Sequence, residues 1–208
     1  MKWPLSLGLI RHDVSAYNAL KKVKQENPAY QAFLKSFQDN PKSEETKWLA
    51  HAAWDLMHLE CGDHDTPLAP DADFAKKTGA ALREMDVELP DVIFVSPYMR
   101  TLSTLENLIA GWPELGGVKV YEEERIREQE HGLCLIYNDW RIMHALFPEQ
   151  AELNKIQGRY WYRYPQGENV PDVRERTRSW MQTLVREFSK KNVLAITHHL
   201  TILAIRAN

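Results

Sequence analysis

Cysteine is scarce in this sequence: only Cys61 and Cys134 occur among 208 residues. Two cysteines make no disulfide framework, which argues against a small bridge-stapled secreted scaffold and fits a reducing cytoplasm. Long apolar runs are missing as well. No segment reaches the roughly 20 residues that a membrane helix needs, and the apolar run before Arg11 is too short for a signal peptide. Charge of one sign is not in large excess. A net charge of -3 gives no general attraction to nucleic acid or to an acidic membrane. There is no internal repeat and no low-complexity tract. What remains is ordinary for a globular protein, with 44% hydrophobic and 26% charged residues. The length suits one domain, residues 1–208, with a substantial core.

Against that plain background one stretch stands out. Leu5 to Ile10 reads as a strand buried on both faces, and it ends abruptly in Arg11-His12. Val193 to Thr197 repeats the pattern and ends in His198-His199. Val92 to Val95 leads to Ser96-Pro97-Tyr98-Met99-Arg100. In parallel α/β sheets, ligands bind outside the carboxyl ends of the strands. If these are neighbouring parallel strands, Arg11, His12, Arg100 and His198 converge. Two guanidinium forks and two imidazoles around one point make an oxyanion site, best suited to phosphate. Each residue also has a bland reading, as a structural His or Arg at a strand or helix end. The repetition at three strand ends favours function.

The rest of the chain alternates helices with these strands. A helix after Ser15 weakens before Pro28, Asn27-Pro28 caps the next, and Ser43-Glu44-Glu45 opens a third whose apolar face runs from Trp48 to Met57. Residues 16–64 are therefore a helical insertion after the first strand, read as a peripheral helical pair or a substrate cap. Pro70 to Met85 reads as a helix with Phe74, Thr78, Ala81, Leu82 and Met85 inward. A helix from Arg100 to Ile109 puts Arg100 and Thr101 at its N-terminus, where free N–H groups favour anions. Val118 to Tyr121 is a third strand, 138–147 a short helix, Asn169 to Ser189 a long helix and Leu200 to Arg206 a last one. The expected class is α/β: a three-layer sandwich with a mostly parallel central sheet flanked by helices.

Two further patterns carry weaker signals. His58, Cys61 and His64 are zinc-type ligands, but no second pair accompanies them, and a helix running into a polar loop explains them as well. The aromatic and basic mix from Gly158 to Tyr164 suits base stacking, yet packing of an irregular segment over the sheet is the better account. No metal and no nucleic-acid partner is expected.

Taken together, the motifs resemble the histidine phosphatase superfamily, the phosphoglycerate mutase-like proteins. Arg11-His12-Asp13-Val14-Ser15 with Asn18 is similar to its opening Arg-His-Gly-x-Ser/Thr motif. Ser96-Pro97-Tyr98-Met99-Arg100-Thr101 resembles Ser-Pro-x-x-Arg-Thr. Glu128 stands at the place of a Glu in Leu-x-Glu-x-x-x-Gly, and Thr197-His198-His199 at the late Ser/Thr-His-Gly. Asp65-Thr66-Pro67-Leu68 and Gly167-Glu168-Asn169 are weaker matches. The resemblance implies a covalent phosphohistidine on His12 and catalytic roles for Glu128, His198, Arg11 and Arg100. It implies substrate binding by Arg11, Asn18, Arg100, Thr101 and His198, with a small phosphorylated substrate and no cofactor. Glu128 lies in an acid-rich stretch that would otherwise read as a solvated loop. Asp13 and His199 depart from the motif's glycines; both residue types tolerate the positive φ that glycine permits, so the backbone can be kept, and a pairing between their side chains is expected. A mutase and a phospho-ligand sensor are the competing functions. The segment after Glu128 does not resemble the extended signature of cofactor-dependent phosphoglycerate mutases.

Overall fold

All four apolar runs read as strands form one sheet. In the computed structural model, which describes residues 3–57, 59–132 and 139–208, they are β1 (Ser6–Arg11), β2 (Val92–Val95), β3 (Lys119–Glu122) and β4 (Asn192–Thr197). The order is β1-β4-β2-β3 and every pairing is parallel. Arg11 stands opposite Thr197, and Val95 opposite Ile196. The strands therefore deliver their following residues to the same end of the sheet.

The chain divides into two compact units. The first comprises Met1–Ala16, His64–Gln129 and Pro171–Asn208 and holds the sheet. Its two central strands, β2 and β4, are buried along their whole length, as continuous apolar runs in parallel sheets should be. On one face Val92, Phe94, Val193 and Ala195 pack with Trp180 and Leu184 of α8 (Val170–Glu187) and Ile205 of α9 (His199–Arg206). On the other, Ile93, Val95, Leu194 and Ile196 pack with Leu105 and Leu108 of α5 (Met99–Gly111), and with Trp112 and Leu115. These are the three layers of the α/β sandwich. The expectation for β1 is corrected. Among the described residues it is an edge strand, paired with β4 alone, and its residues are half-buried or exposed.

A second correction concerns α4 (Phe74–Glu84), which starts later than Pro70 and turns a different face inward. Phe74 and Met85 are 63% and 73% exposed, whereas Ala75 and Gly79 are buried. Small residues replace large ones because α4 lies backbone to backbone on α5. A Cβ on Gly79 would come within 2.4 Å of the Leu108 carbonyl, and one on Gly111 within 2.0 Å of the Lys76 carbonyl. Reading the largest apolar residues as the buried face misses contacts of this kind.

The second unit, Tyr17–Asp63 with Glu130–Val170, is helical. It holds α1 (Ala16–Val23) from Tyr17 onward, α2 (Pro28–Asp39), α3 (Glu44–Trp54), α6 (Trp140–Leu146) and α7 (Pro148–Trp161). Asn27 caps α2 by accepting from the N–H groups of Ala29 and Tyr30, and Ser43 caps α3 by accepting from Thr46. Tyr30, Phe33, Ala50, Ala53, Ile142 and Ala145 form the core, while Trp48 is exposed. The stretch from Gly158 is not irregular throughout: α7 continues to Trp161 past a kink at Gly158, where φ is +74°. Tyr160 and Trp161 are exposed and Tyr162 is buried. Among the described residues no helix is long and apolar enough to cross a membrane.

Candidate active site

His12 follows the last residue of β1, and its main-chain N–H donates to the Thr197 carbonyl of β4 (2.9 Å). Its ring is fixed in turn. Nδ1 donates to the carbonyl oxygen of Asp13 at 2.6 Å. In a neutral imidazole that assigns the proton to Nδ1 and the lone pair to Nε2. The loop carrying it is held by residues 67–69. Val14 accepts from the Ala69 N–H, Ala16 donates to the Pro67 carbonyl, and Ser15 bridges Leu68. The segment Asp65 to Leu68 thus leads into a short antiparallel patch beside the His12 loop.

Arg100 lies in the first turn of α5, 95% shielded from solvent, with its guanidinium carbon 4.8 Å from the centre of the Tyr98 ring. Tyr98 also meets His198 edge-on at 5.1 Å. The rings of His12 and His198 are 5.3 Å apart. Two strand ends and one helix start are therefore joined around a single point.

His198 is fully buried. Its Nε2 is 2.8 Å from the Ser96 hydroxyl, and its Nδ1 is buried with no hydrogen-bond partner. Burial first, then the charges of Arg100, His12, Arg176 and Arg11, push its pKa well below the ordinary 6.5. Four groups of positive or potentially positive charge act on one neutral imidazole. An anion placed there would relieve both that repulsion and the unmet nitrogen.

The acid-rich stretch is organised rather than loosely solvated. Three carbonyls in it, those of Arg125, Arg127 and Glu128, accept from the guanidinium of Arg176 at 2.9, 2.8 and 3.0 Å. The Thr201 hydroxyl also donates to the Arg127 carbonyl (2.6 Å), and the Thr197 hydroxyl to that of Ile126. Glu128 is half-buried on this pinned backbone, and its carboxylate accepts from the Gln129 N–H (3.0 Å).

A model of the histidine phosphatase superfamily (branch 1) matches residues 50–208. The chain belongs to this superfamily. Among curated proteins, a phosphoglycerate mutase-like protein of Arabidopsis thaliana is 31% identical over 118 residues, 52% of this chain and 40% of that protein. A broad-range acid phosphatase of Saccharomyces cerevisiae is 25% identical over 169 residues, 56% of this chain and 50% of that one. The chain therefore spans about half or less of the length of these relatives. Among solved structures, a mycobacterial glucosyl-3-phosphoglycerate phosphatase in complex with VO3 aligns over 96% of this chain and 77% of its own, with TM-score 0.59 and 20% identity. Phosphoglycerate mutase of Bacillus anthracis aligns over 98% and 79%, with TM-score 0.62 and 18% identity. At such identities the likeness is one of fold, the histidine phosphatase α/β sandwich.

The residues read from the superfamily motifs are not all placed alike. Arg11, His12, Arg100, Thr101, Glu128 and His198 fall in the sheet-bearing unit, and Asn18 falls on α1 in the helical one. Thr101 takes a supporting place. Its hydroxyl oxygen lies 2.8 Å from the Ser96 carbonyl and 2.6 Å from that of Tyr98, and its N–H goes to Tyr98, so it holds the loop rather than facing an anion. Asp13 and His199 do not pair. Both Asp13 oxygens accept from backbone N–H groups, and His199 is exposed at the start of α9. Neither residue has positive φ. No motif marks Arg176 in the sequence. It lies three residues after Val173 and four before Trp180, so a charge falls on the apolar stripe of α8, and that mismatch was the available signal. His58 and Cys134 lie outside the described residues, and no cluster of three metal-ligating side chains occurs among the described ones.

Proposed function

We propose that this chain is a phosphomonoester hydrolase working through a covalent phosphohistidine on His12, without a metal. The observation that carries the reading is the bond from His12 Nδ1 to the Asp13 carbonyl. It leaves Nε2 as the nucleophilic nitrogen beside a cluster of guanidinium and imidazole groups. Nε2 attacks phosphorus; the N–P bond forms as the bond to the leaving oxygen breaks. Arg11, Arg100 and His198 stabilise the charge on the equatorial oxygens. If the Ser96 hydroxyl donates to Nε2 of His198, Nδ1 carries the proton and points a donor at the phosphoryl group. Glu128 gives a proton to the leaving alkoxide, then takes one from the water that cleaves the N–P bond and frees inorganic phosphate.

Phosphatase names stand beside mutase names among the relatives and fold neighbours; the segment after Glu128, unlike the extended signature of cofactor-dependent mutases, supports hydrolysis over transfer to a second substrate. A mutase would need a bisphosphate primer and a phosphoenzyme shielded from water. The substrate class is a small phosphorylated metabolite, and the low cysteine count supports a cytoplasmic setting. The test is phosphate release from a panel of phosphomonoesters with chelator present. Wild type should release phosphate and form a trappable phosphoenzyme. His12→Ala should lose at least about a thousandfold in rate and trap nothing. Appreciable turnover in that variant would remove His12 from the nucleophile's role.

A further inference from the structure

Asp13 stands where the superfamily motif carries glycine, directly after the proposed nucleophile, and a carboxylate there should repel phosphate. The structure shows where its charge goes. Oδ1 accepts from its neighbour Val14 N–H at 2.7 Å, and Oδ2 from the Ala75 N–H at 2.8 Å. Ala75 is the second residue of α4, whose own N-cap, Asp73, makes no side-chain cap bond. Asp13 therefore caps α4 from 62 residues away in sequence, with its charge at the positive end of the helix dipole. Its main chain is committed too. Its carbonyl accepts from His12 Nδ1, and its N–H donates to the Thr104 hydroxyl (2.9 Å), which donates on to the Arg100 carbonyl (2.6 Å). Every polar group of this 93% buried residue is engaged.

We propose that Asp13 is the positioning residue for His12: its carboxylate locks the loop to α4, so that its carbonyl holds the imidazole in the Nδ1–H tautomer and in register with Arg100. This rests on His12 being the nucleophile. The departure from glycine is then a gain in rigidity. At negative φ the site has no need of glycine's freedom, and a side chain that reaches a helix end replaces it. Two N–H groups meet two carboxylate oxygens; an amide offers one oxygen and turns its NH2 toward the other N–H.

The experiment uses full-length protein labelled with 15N-histidine and compares wild type, Asp13→Asn and Thr104→Val. The ring nitrogen shifts report the His12 tautomer whether or not any ester is turned over. Wild type should show a single Nδ1–H form, and Asp13→Asn a mixture of tautomers. With para-nitrophenyl phosphate, kcat should fall about tenfold or more in Asp13→Asn, while KM stays within about threefold. Thr104→Val, which spares the carboxylate, should show a weaker change of the same kind, and it carries the test if Asp13→Asn does not fold. An unchanged tautomer and kcat alongside lowered stability would reduce Asp13 to a structural cap and overturn the proposal. A rise in KM alone would do the same. If wild type itself releases no phosphate, the nucleophile assignment fails, and the tautomer comparison still decides whether Asp13 orients His12.

Discussion

The two units of this molecule bury charge for different ends. In the sheet-bearing unit the interior is apolar, and the buried ionisable groups His12, Asp13, Arg100 and His198 gather at one end of the sheet. In the helical unit a polar cluster sits inside the fold itself. Lys24 and Asp139, both over 90% shielded, pair at 3.1 Å. The Tyr30 hydroxyl donates to the same carboxylate, and Arg141 donates to it from backbone and side chain (2.9 and 3.1 Å). Burial alone would raise the pKa of Asp139; Tyr30, Arg141 and Lys24 overcome that and hold it below its ordinary value. For Lys24 burial wins and the pKa falls, although Asp139 opposes it. Burial, then Asp139 and Asp63, pushes Tyr17 up to about 12. The first unit gathers guanidinium and imidazole groups at one end of its sheet, and the second pairs a buried lysine with a buried aspartate in its core. One arrangement fits binding and the other fits holding helices in place.

The largest effect that can break this contrast comes from Asp139→Ala. It leaves a buried ammonium and a tyrosine hydroxyl without their acceptor, at a cost of about 3–5 kcal/mol. The double variant Lys24→Met with Asp139→Asn removes both charges and keeps an oxygen for Tyr30, so it should lose less than half as much. Hydrogen exchange should show Asp139→Ala loosening the fragments of the helical unit while β2 and β4 keep their protection. Equal loosening of both would mean that the units do not unfold separately.

The next effect belongs to the first unit. Gly111→Ala puts a methyl 2.0 Å from the Lys76 carbonyl and 2.9 Å from the Ala80 nitrogen, both backbone atoms. Helices α4 and α5 must move apart, costing roughly 1–3 kcal/mol. Since α4 receives Asp13 and α5 carries Arg100, the proposed phosphatase activity should fall together with thermal stability. Lost stability with full activity would uncouple this helix pair from the site.

What was legible follows the same divide. A strand that ends in Arg11-His12 or Thr197-His198 writes its role in consecutive residues, because apolar burial and a polar exit adjoin in sequence. The order of elements and the parallel sheet were readable for that reason. The edge position of β1 was not, since pairing on one side depends on the whole sheet. The face of α4 was hidden because Gly79 and Gly111 act by lacking a side chain. Lys24 and Asp139 are 115 residues apart, and nothing in a local window marks them as partners. Arg176 and the capping by Asp13 escaped similarly: each bonds to a backbone supplied by a distant segment.

The smallest effect is the most discriminating. His198 and His144, one in each unit, both resist protonation, but for different reasons. Burial alone lowers the pKa of His144, whereas His198 adds the charges of Arg100, His12, Arg176 and Arg11 to its burial. A histidine whose folded pKa lies below its unfolded value stabilises the fold fully above about 6.5 and loses that contribution as pH falls, because the unfolded chain takes up the proton that the folded one refuses. For His198 the slope is at most about 1.4 kcal/mol per pH unit. Inorganic phosphate bound among those cations would reverse their effect on His198 and leave His144 as it was. Titration of the ring resonances by NMR, without and with phosphate, should therefore raise the His198 pKa by about one unit or more while His144 does not move. If both shift alike, the change is one of general ionic strength. If neither shifts, the cluster around His198 does not bind phosphate, and its cationic character would have to be explained by packing within the unit.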